Sequence, residues 1–272
     1  MKLMIRPIRS ELAIGLALLV CLPVAGIAQQ KHVRVAAASD LQVVMPQIAK
    51  AFEQQTRIGV ELTYGSSGNF FAQIQNGAPF DLFFSADSEF PAQLIRGGAA
   101  DGRSAAVYGL GGLILWVPAK AKCDPRAEKW NCLLKTEVSK IAIANPAHAP
   151  YGRAAISAIQ AAGVYEQVRQ KLVFGENISQ AAQFAQSGNA QAGILATSQT
   201  KSSGISEGKY WEVPRDSYPR IEQTVVVLKA TKEKSAAEEF VKFVTEGPGR
   251  ALLQQFGFQP PSTTAEAKAG RK

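Results

Sequence analysis

The stretch GSSGNFFAQIQNGAPFDLFFSAD, Gly65–Asp87, carries the fold in miniature. Gly65-Ser66-Ser67-Gly68-Asn69 joins flexible backbone to two hydroxyls at a helix start. Asn69–Asn76 reads as a short helix. Leu82–Ser85 is a brief apolar run that reads as a buried strand. A turn, a helix and a strand in this order point to parallel strands joined by helical crossovers.

The same alternation extends outward. Val33–Ala37 and Gly59–Thr63 read as strands. Between them Leu41–Gln54 has helical spacing, with Leu41, Val44, Met45, Ile48, Ala49 and Phe52 on one face. Downstream, strands are expected at Leu113–Val117, Ile141–Ala144, Gly193–Thr197 and Thr224–Leu228. Helices are expected at Phe90–Arg96, Arg153–Ala162, Tyr165–Leu172, Ser179–Gln186, Ala236–Thr245 and Gly249–Phe256. The class is α/β, with mixed, mainly parallel sheets flanked by helices.

The two ends read differently. Lys2, Arg6 and Arg9 precede an apolar run, Leu12–Leu22, and small residues follow up to Ala28. Residues 1–28 are expected to be a secretory signal peptide. Val20 stands before Cys21 where a lipobox needs a small residue, which argues against lipidation. Residues 261–272 are polar and are expected to be a disordered tail. Cleavage after Ala28 would remove Lys2, Arg6, Arg9 and Glu11 and lower the formal charge from +8 to +6. The remaining excess favours anions. The basic residues are scattered and no run of them interleaves with aromatics, which argues against a nucleic-acid partner. In an oxidising compartment the remaining cysteines, Cys123 and Cys132, are expected to form a disulfide, with two free thiols as the alternative.

Four turns share one chemistry. They are Ala36–Asp40, Gly65–Asn69, Ala149–Gly152 and Glu176–Ser179. Each places small, hydroxyl or glycine residues at a helix start, and Ser39 can serve as an N-cap. A helix start offers unsatisfied N–H groups and the positive end of a dipole. Several of them around one point form an anion site built from neutral donors. No GxGxxG, Walker A, HExxH or CxxC pattern occurs, so no nucleotide or metal cofactor is indicated.

Taken together, Gly65–Asp87, Ile141–Ala155 (IAIANPAHAPYGRAA), Gly175–Gln199 (GENISQAAQFAQSGNAQAGILATSQ) and Gly247–Phe258 (GPGRALLQQFGF) resemble the molybdate-binding proteins of ABC uptake systems. The resemblance implies a two-lobed type II periplasmic-binding fold with the ligand cleft between lobes. Lobe 1 would comprise 31–111 and 224–260, and lobe 2 would comprise 112–223. Crossings are expected near Gly111–Gly112 and Gln223–Thr224. The protein would be a monomeric periplasmic receptor that captures molybdate or tungstate and delivers it to an ABC permease. Sulfate or another tetrahedral oxyanion is the alternative.

Carried over residue by residue, the resemblance implies hydroxyl donors at Ser39 and Ser67 and backbone N–H donors at Asp40 and Ile178. Tyr151 would contribute its N–H or its phenol. Two positions depart from the pattern. Ala196 stands where one branch has a tyrosine hydroxyl, and Tyr151 is the candidate substitute. Asp40 carries a charge where that branch is uncharged, and its side chain is expected to turn outward toward the helix dipole. Catalysis is not expected. Ser67 lacks a G-x-S-x-G elbow, and His32 and His148 are the only histidines.

Overall fold

The computed structural model describes residues 31–261. The expected signal peptide, Cys21 and all of the expected tail except Pro261 lie outside the described residues. Among the described residues no helix is long and apolar enough to cross a membrane.

The strands are β1 (His32–Ala38), β2 (Gly59–Gly65), β3 (Leu82–Ser85), β4 (Ala106–Gly111), β5 (Leu113–Val117), β6 (Ile141–Ala144), β7 (Leu172–Gly175), β8 (Ala192–Ala196), β9 (Lys209–Glu212) and β10 (Ile221–Val227). The α-helices are α1 (Met45–Thr56), α2 (Ser67–Gln75), α3 (Glu89–Arg96), α4 (Pro125–Glu128), α5 (Pro150–Ala161), α6 (Tyr165–Val168), α7 (Ile178–Gln186), α8 (Lys234–Thr245) and α9 (Pro248–Gln255).

Two five-stranded sheets follow one plan. The first has the order β2-β1-β3-β10-β4 and the second β7-β6-β8-β5-β9. In the first, β1 runs parallel to β2 and β3, while β10 lies antiparallel between β3 and β4. In the second, β6 runs parallel to β7 and β8, while β5 lies antiparallel between β8 and β9. Each antiparallel insert is the first strand after a crossing from the other lobe. This is the two-lobed type II plan.

The first crossing is at Gly112, between β4 and β5. The second lies upstream of the expected Gln223–Thr224, because Ile221 already pairs with Gly111 in the first sheet. Gln223–Thr224 is instead a β-bulge inside β10. A bulge redirects side chains locally, and Gln223 returns below as a buried member of the site.

Both faces of the first sheet are covered. Val33, Val35 and Ala37 pack with Phe52, Phe84 and Phe240 on one side, and Ala36, Phe83 and Val226 pack with Phe70 and Leu94 on the other. This is the period-two alternation of a strand buried on both faces. Phe240 meets Phe52 edge-on at 4.9 Å and Phe84 at 5.9 Å. A continuous core in the second lobe surrounds β5, β6 and β8.

Two expected helices are revised. Leu41–Gln54 divides into a 3-10 turn, Ser39–Val43, and α1. Pro46 has no N–H to donate, so it fits the first turn of a new helix and not the interior of a longer one. Tyr165–Leu172 shortens to α6 and a 3-10 turn, and Leu172 opens β7.

Candidate functional site

The four turns meet between the lobes around one small cavity. Ser39, Asp40 and Ser67 line it from the first lobe, and Tyr151 and Ile178 from the second. All five residues singled out in the sequence are therefore brought together.

Ser67 is the first residue of α2, and Ser66 is the N-cap, accepting from the Asn69 N–H. Ser67 Oγ accepts the Ala86 N–H at 2.9 Å. One lone pair is engaged by protein, and the hydroxyl proton remains to be donated into the cavity. Ser39 is not the N-cap expected of it. Ala38 holds that position, and Ser39 already lies in the 3-10 turn. Ile178 opens α7 behind Asn177, whose side chain takes the N–H groups of Ser179 and Gln180, both at 3.0 Å. The Ile178 N–H belongs to the first turn, which has no intrahelical acceptor.

Asp40 corrects the expectation of an outward side chain. It is completely buried, and its Oδ2 accepts from the Tyr151 hydroxyl at 2.9 Å and from Gln223 Nε2 at 2.6 Å. Two neutral donors, one from each lobe, offset part of the desolvation and hold the carboxyl inside. Its Oδ1 is buried without a partner. Burial pushes the Asp40 pKa up to about 6, opposed by the Gln223 and Tyr151 donors and by the N–H groups of Asp40 and Leu41. Burial raises the pKa of Tyr151 and Tyr108 as well, reinforced by the nearby Asp40.

Tyr151 is thus engaged with Asp40, and its hydroxyl also lies 2.9 Å from Gln223 Nε2. The Tyr108 hydroxyl is 2.6 Å from Gln223 Oε1 and 3.0 Å from the Ser85 carbonyl. Gly111, the last residue before the first crossing, makes room for the cluster. A Cβ there would sit 2.4 Å from Tyr151 Oη and 2.8 Å from Gln223 Nε2.

The cleft is closed. Across it, the Gly68 N–H donates to the His148 carbonyl at 2.9 Å, and Arg153 pairs with Asp87 at 2.7 Å. Ser179 Oγ donates to the Ser39 carbonyl at 2.9 Å, and Ser198 Oγ donates to the Asp40 carbonyl at 3.0 Å. Asn69 also donates to Glu176. Ala196 ends β8, and its N–H is taken by Gln199. Ser66 Oγ and His148 Nδ1 are 2.9 Å apart, with Glu176 3.6 Å from His148 Nε2. In the second lobe Cys123 and Cys132 form a disulfide, with Cα atoms 5.5 Å apart.

Sequence reasoning missed Gln223 and Tyr108, and it placed Ser198 near the site without giving it a role. A glutamine beside the β-branched run Thr224–Leu228 was the available signal for the first. Among the described residues no cluster of three or more His, Cys, Asp or Glu side chains could hold a metal ion.

A closed cleft between two lobes, lined by hydroxyls and helix starts, is the architecture of a solute receptor. The family model for bacterial extracellular solute-binding proteins matches residues 33–259. The chain belongs to this family. Among its relatives, the molybdate-binding protein ModA of Rhodobacter capsulatus is 38% identical over 223 residues, covering 82% of this chain and 86% of that protein. ModA of Azotobacter vinelandii is 36% identical over 251 residues, covering 92% and 96%. The solved periplasmic molybdate-binding protein of Azotobacter vinelandii superposes with a TM-score of 0.78 at 31% identity, over 85% of this chain and all of that one. The sulfate-binding protein SubI of Mycobacterium tuberculosis superposes at 0.72 with 17% identity, over 88% and 90%, a likeness of fold alone.

Proposed function

We propose that the chain is an exported, monomeric receptor that binds molybdate or tungstate in the interlobe cavity and delivers it to an ABC importer. The observation that carries this reading is Ser67. Its Oγ already accepts the Ala86 N–H, and its proton, bonded to no group of the described residues, is free to be donated toward the cavity. Ser39 and the first-turn N–H groups at Asp40, Tyr151 and Ile178 stand around the same space. A fully deprotonated tetrahedral dianion accepts hydrogen bonds and donates none, which suits such a set. The relatives named for molybdate support the choice of ion, and the signal-like residues 1–28 support export.

The serine–histidine contact does not favour a hydrolase. Ser66 is 3% exposed and caps α2, and its contact with His148 is one of the ties across the closed cleft.

Calorimetric titration of ligand-free protein with molybdate, tungstate, sulfate and phosphate tests the reading. Tight binding of molybdate or tungstate is expected. At about a hundredfold excess over Kd the folded state should gain roughly 2.7 kcal/mol. Tight binding of sulfate with neither metal oxyanion bound would move the assignment to a sulfate receptor.

A further inference from the structure

Asp40 is an acidic side chain in a cavity suited to an anion. It lines the cavity and is completely buried. Both of its side-chain donors converge on one oxygen. Tyr108 stands beside Gln223 Oε1, so the Gln223 amide turns its NH2 group to Asp40 Oδ2, where the Tyr151 hydroxyl also donates. The other oxygen, Oδ1, has no partner in the protein. Two side-chain donors on one oxygen and no side-chain donor on the other is the pattern of a carboxylic acid, with Oδ2 as the carbonyl and Oδ1 as the hydroxyl.

Among the described residues no counter-charge stands at the Asp40 carboxyl. Tyr151, Tyr108 and Tyr218 are the titratable neighbours within the cluster. Asp87 lies beyond Tyr108 and is paired with Arg153. Arg215 is turned to the Gly111 carbonyl, and His148 stands with Ser66 and Glu176 at the cleft. Lys201, in the turn after β8, is exposed. An ionised Asp40 beside a bound dianion would place like charges together in a space closed to water.

We propose that Asp40 determines specificity in this cavity by meeting the oxyanion as a neutral acid, its Oδ1–H donating to an anion oxygen, so that each dianion is captured together with one proton. The proton comes from solvent and stays on Asp40 while the anion is bound, and no covalent bond of the anion changes. The inference rests on the oxyanion-receptor reading. Burial alone already moves the carboxyl up to about 6, and an adjacent dianion moves it further in the same direction. A site whose groups all donate also disfavours hydrogen phosphate, whose own O–H would find no acceptor.

Calorimetry of the ligand-free, full-length protein with sodium molybdate, at about pH 8 in buffers of different ionisation enthalpy, counts the protons. Uptake of close to one proton per molybdate is expected, with affinity falling about tenfold per pH unit on the alkaline side. Asp40→Asn should take up none, lose the pH dependence and exceed the wild type in affinity at high pH. A wild type that takes up no proton and binds equally across this range overturns the proposal. So does a wild type that prefers phosphate and loses that preference in Asp40→Asn, which would make Asp40 an ionised acceptor. The wild-type proton count decides even if the variant folds poorly. If neither form binds molybdate, tungstate or sulfate, the receptor reading itself fails and this inference falls with it.

Discussion

The Tyr151 hydroxyl donates to Asp40 Oδ2 at 2.9 Å, and the two residues come from opposite lobes. Asp40 follows β1 in the first lobe, while Tyr151 lies in the first turn of α5 in the second. Gln223, from β10, touches both. Gly111 allows the chain to pass against this cluster just before it crosses between lobes. Closure of the cleft and the state of one buried carboxyl are therefore joined at the hinge. Tyr151→Phe removes a tie between lobes and a donor to Asp40, without removing any first-turn N–H from the cavity.

The buried carboxyl has a stability consequence. In an unfolded chain an aspartate titrates near about 4. In the folded protein burial moves Asp40 up to about 6. The closed form then holds the proton more tightly, so its stability falls as pH rises between these values and the cost is complete above the upper one. The difference corresponds to about 3 kcal/mol. Asp40→Asn should favour the closed form near about pH 8 and change its population little near about pH 4. Small-angle scattering of the ligand-free protein across pH checks this, and equal compaction of wild type and variant at both ends would contradict it.

The two cavity serines should respond alike. Ser67→Ala removes one charge-assisted donor to the anion, a loss of roughly 1.5–3 kcal/mol, or about ten- to a hundredfold in molybdate affinity. It also leaves the Ala86 N–H without its acceptor, so a lower Tm of the ligand-free protein is expected. Ser39→Ala should lose similar affinity with almost no change in ligand-free Tm, because Ser39 is not the helix cap. Ile178→Val should do little, since its part is played by backbone. Calorimetry and melting curves on the same samples separate the cases. Full affinity in both serine variants would move the anion elsewhere.

Much of this was legible because strand-to-helix turns announce themselves through small polar residues. Ser39, Ser67, Tyr151 and Ile178 stand in four such turns, and all four reach one cavity. Three strands were not legible. β4, with the sequence AVYGLG, looks like a glycine-rich connection and becomes a strand through pairing with β10. β7 and β9 are four-residue strands left partly exposed, without the fully buried apolar run that marks β3 and β6. Tyr108 and Gln223 were missed because polar residues inside strands look like solvent-facing positions. They are 115 residues apart in the chain, and only the β4–β10 pairing brings them together. The orientation of Asp40 fails for the same reason. Its partner Gln223 is 183 residues away, and local dipole arguments cannot anticipate a donor at that distance.

The disulfide should matter for stability alone. Cys123 and Cys132 are nine positions apart, in the second lobe and away from the cavity lining. Closing so short a loop contributes about 2–3 kcal/mol in the chain-entropy model. Reduction should lower the Tm and leave molybdate affinity within about twofold. A large loss of affinity on reduction would show that the disulfide loop supports the cleft.

Gly68→Ala should move stability and binding in opposite directions. Gly68 is the second residue of α2, where alanine is the better helix former by roughly 0.5–1 kcal/mol. Before the lobes meet, the added methyl group costs nothing across the cleft, so the ligand-free Tm should hold or rise slightly. In the closed form its Cβ would lie 2.7 Å from the His148 carbonyl oxygen and 2.7 Å from His148 Cβ. That carbonyl belongs to the backbone of the turn before α5 and cannot rotate aside as a flexible side chain would. The same carbonyl accepts the Gly68 N–H at 2.9 Å, so pushing it away also weakens a tie between the lobes. Steric strain of about 1–3 kcal/mol in the closed form alone corresponds to about five- to a hundredfold weaker molybdate binding. Small-angle scattering with and without molybdate should then show less compaction in Gly68→Ala than in the wild type. Unchanged affinity and compaction would mean that the contact between Gly68 and His148 does not limit closure.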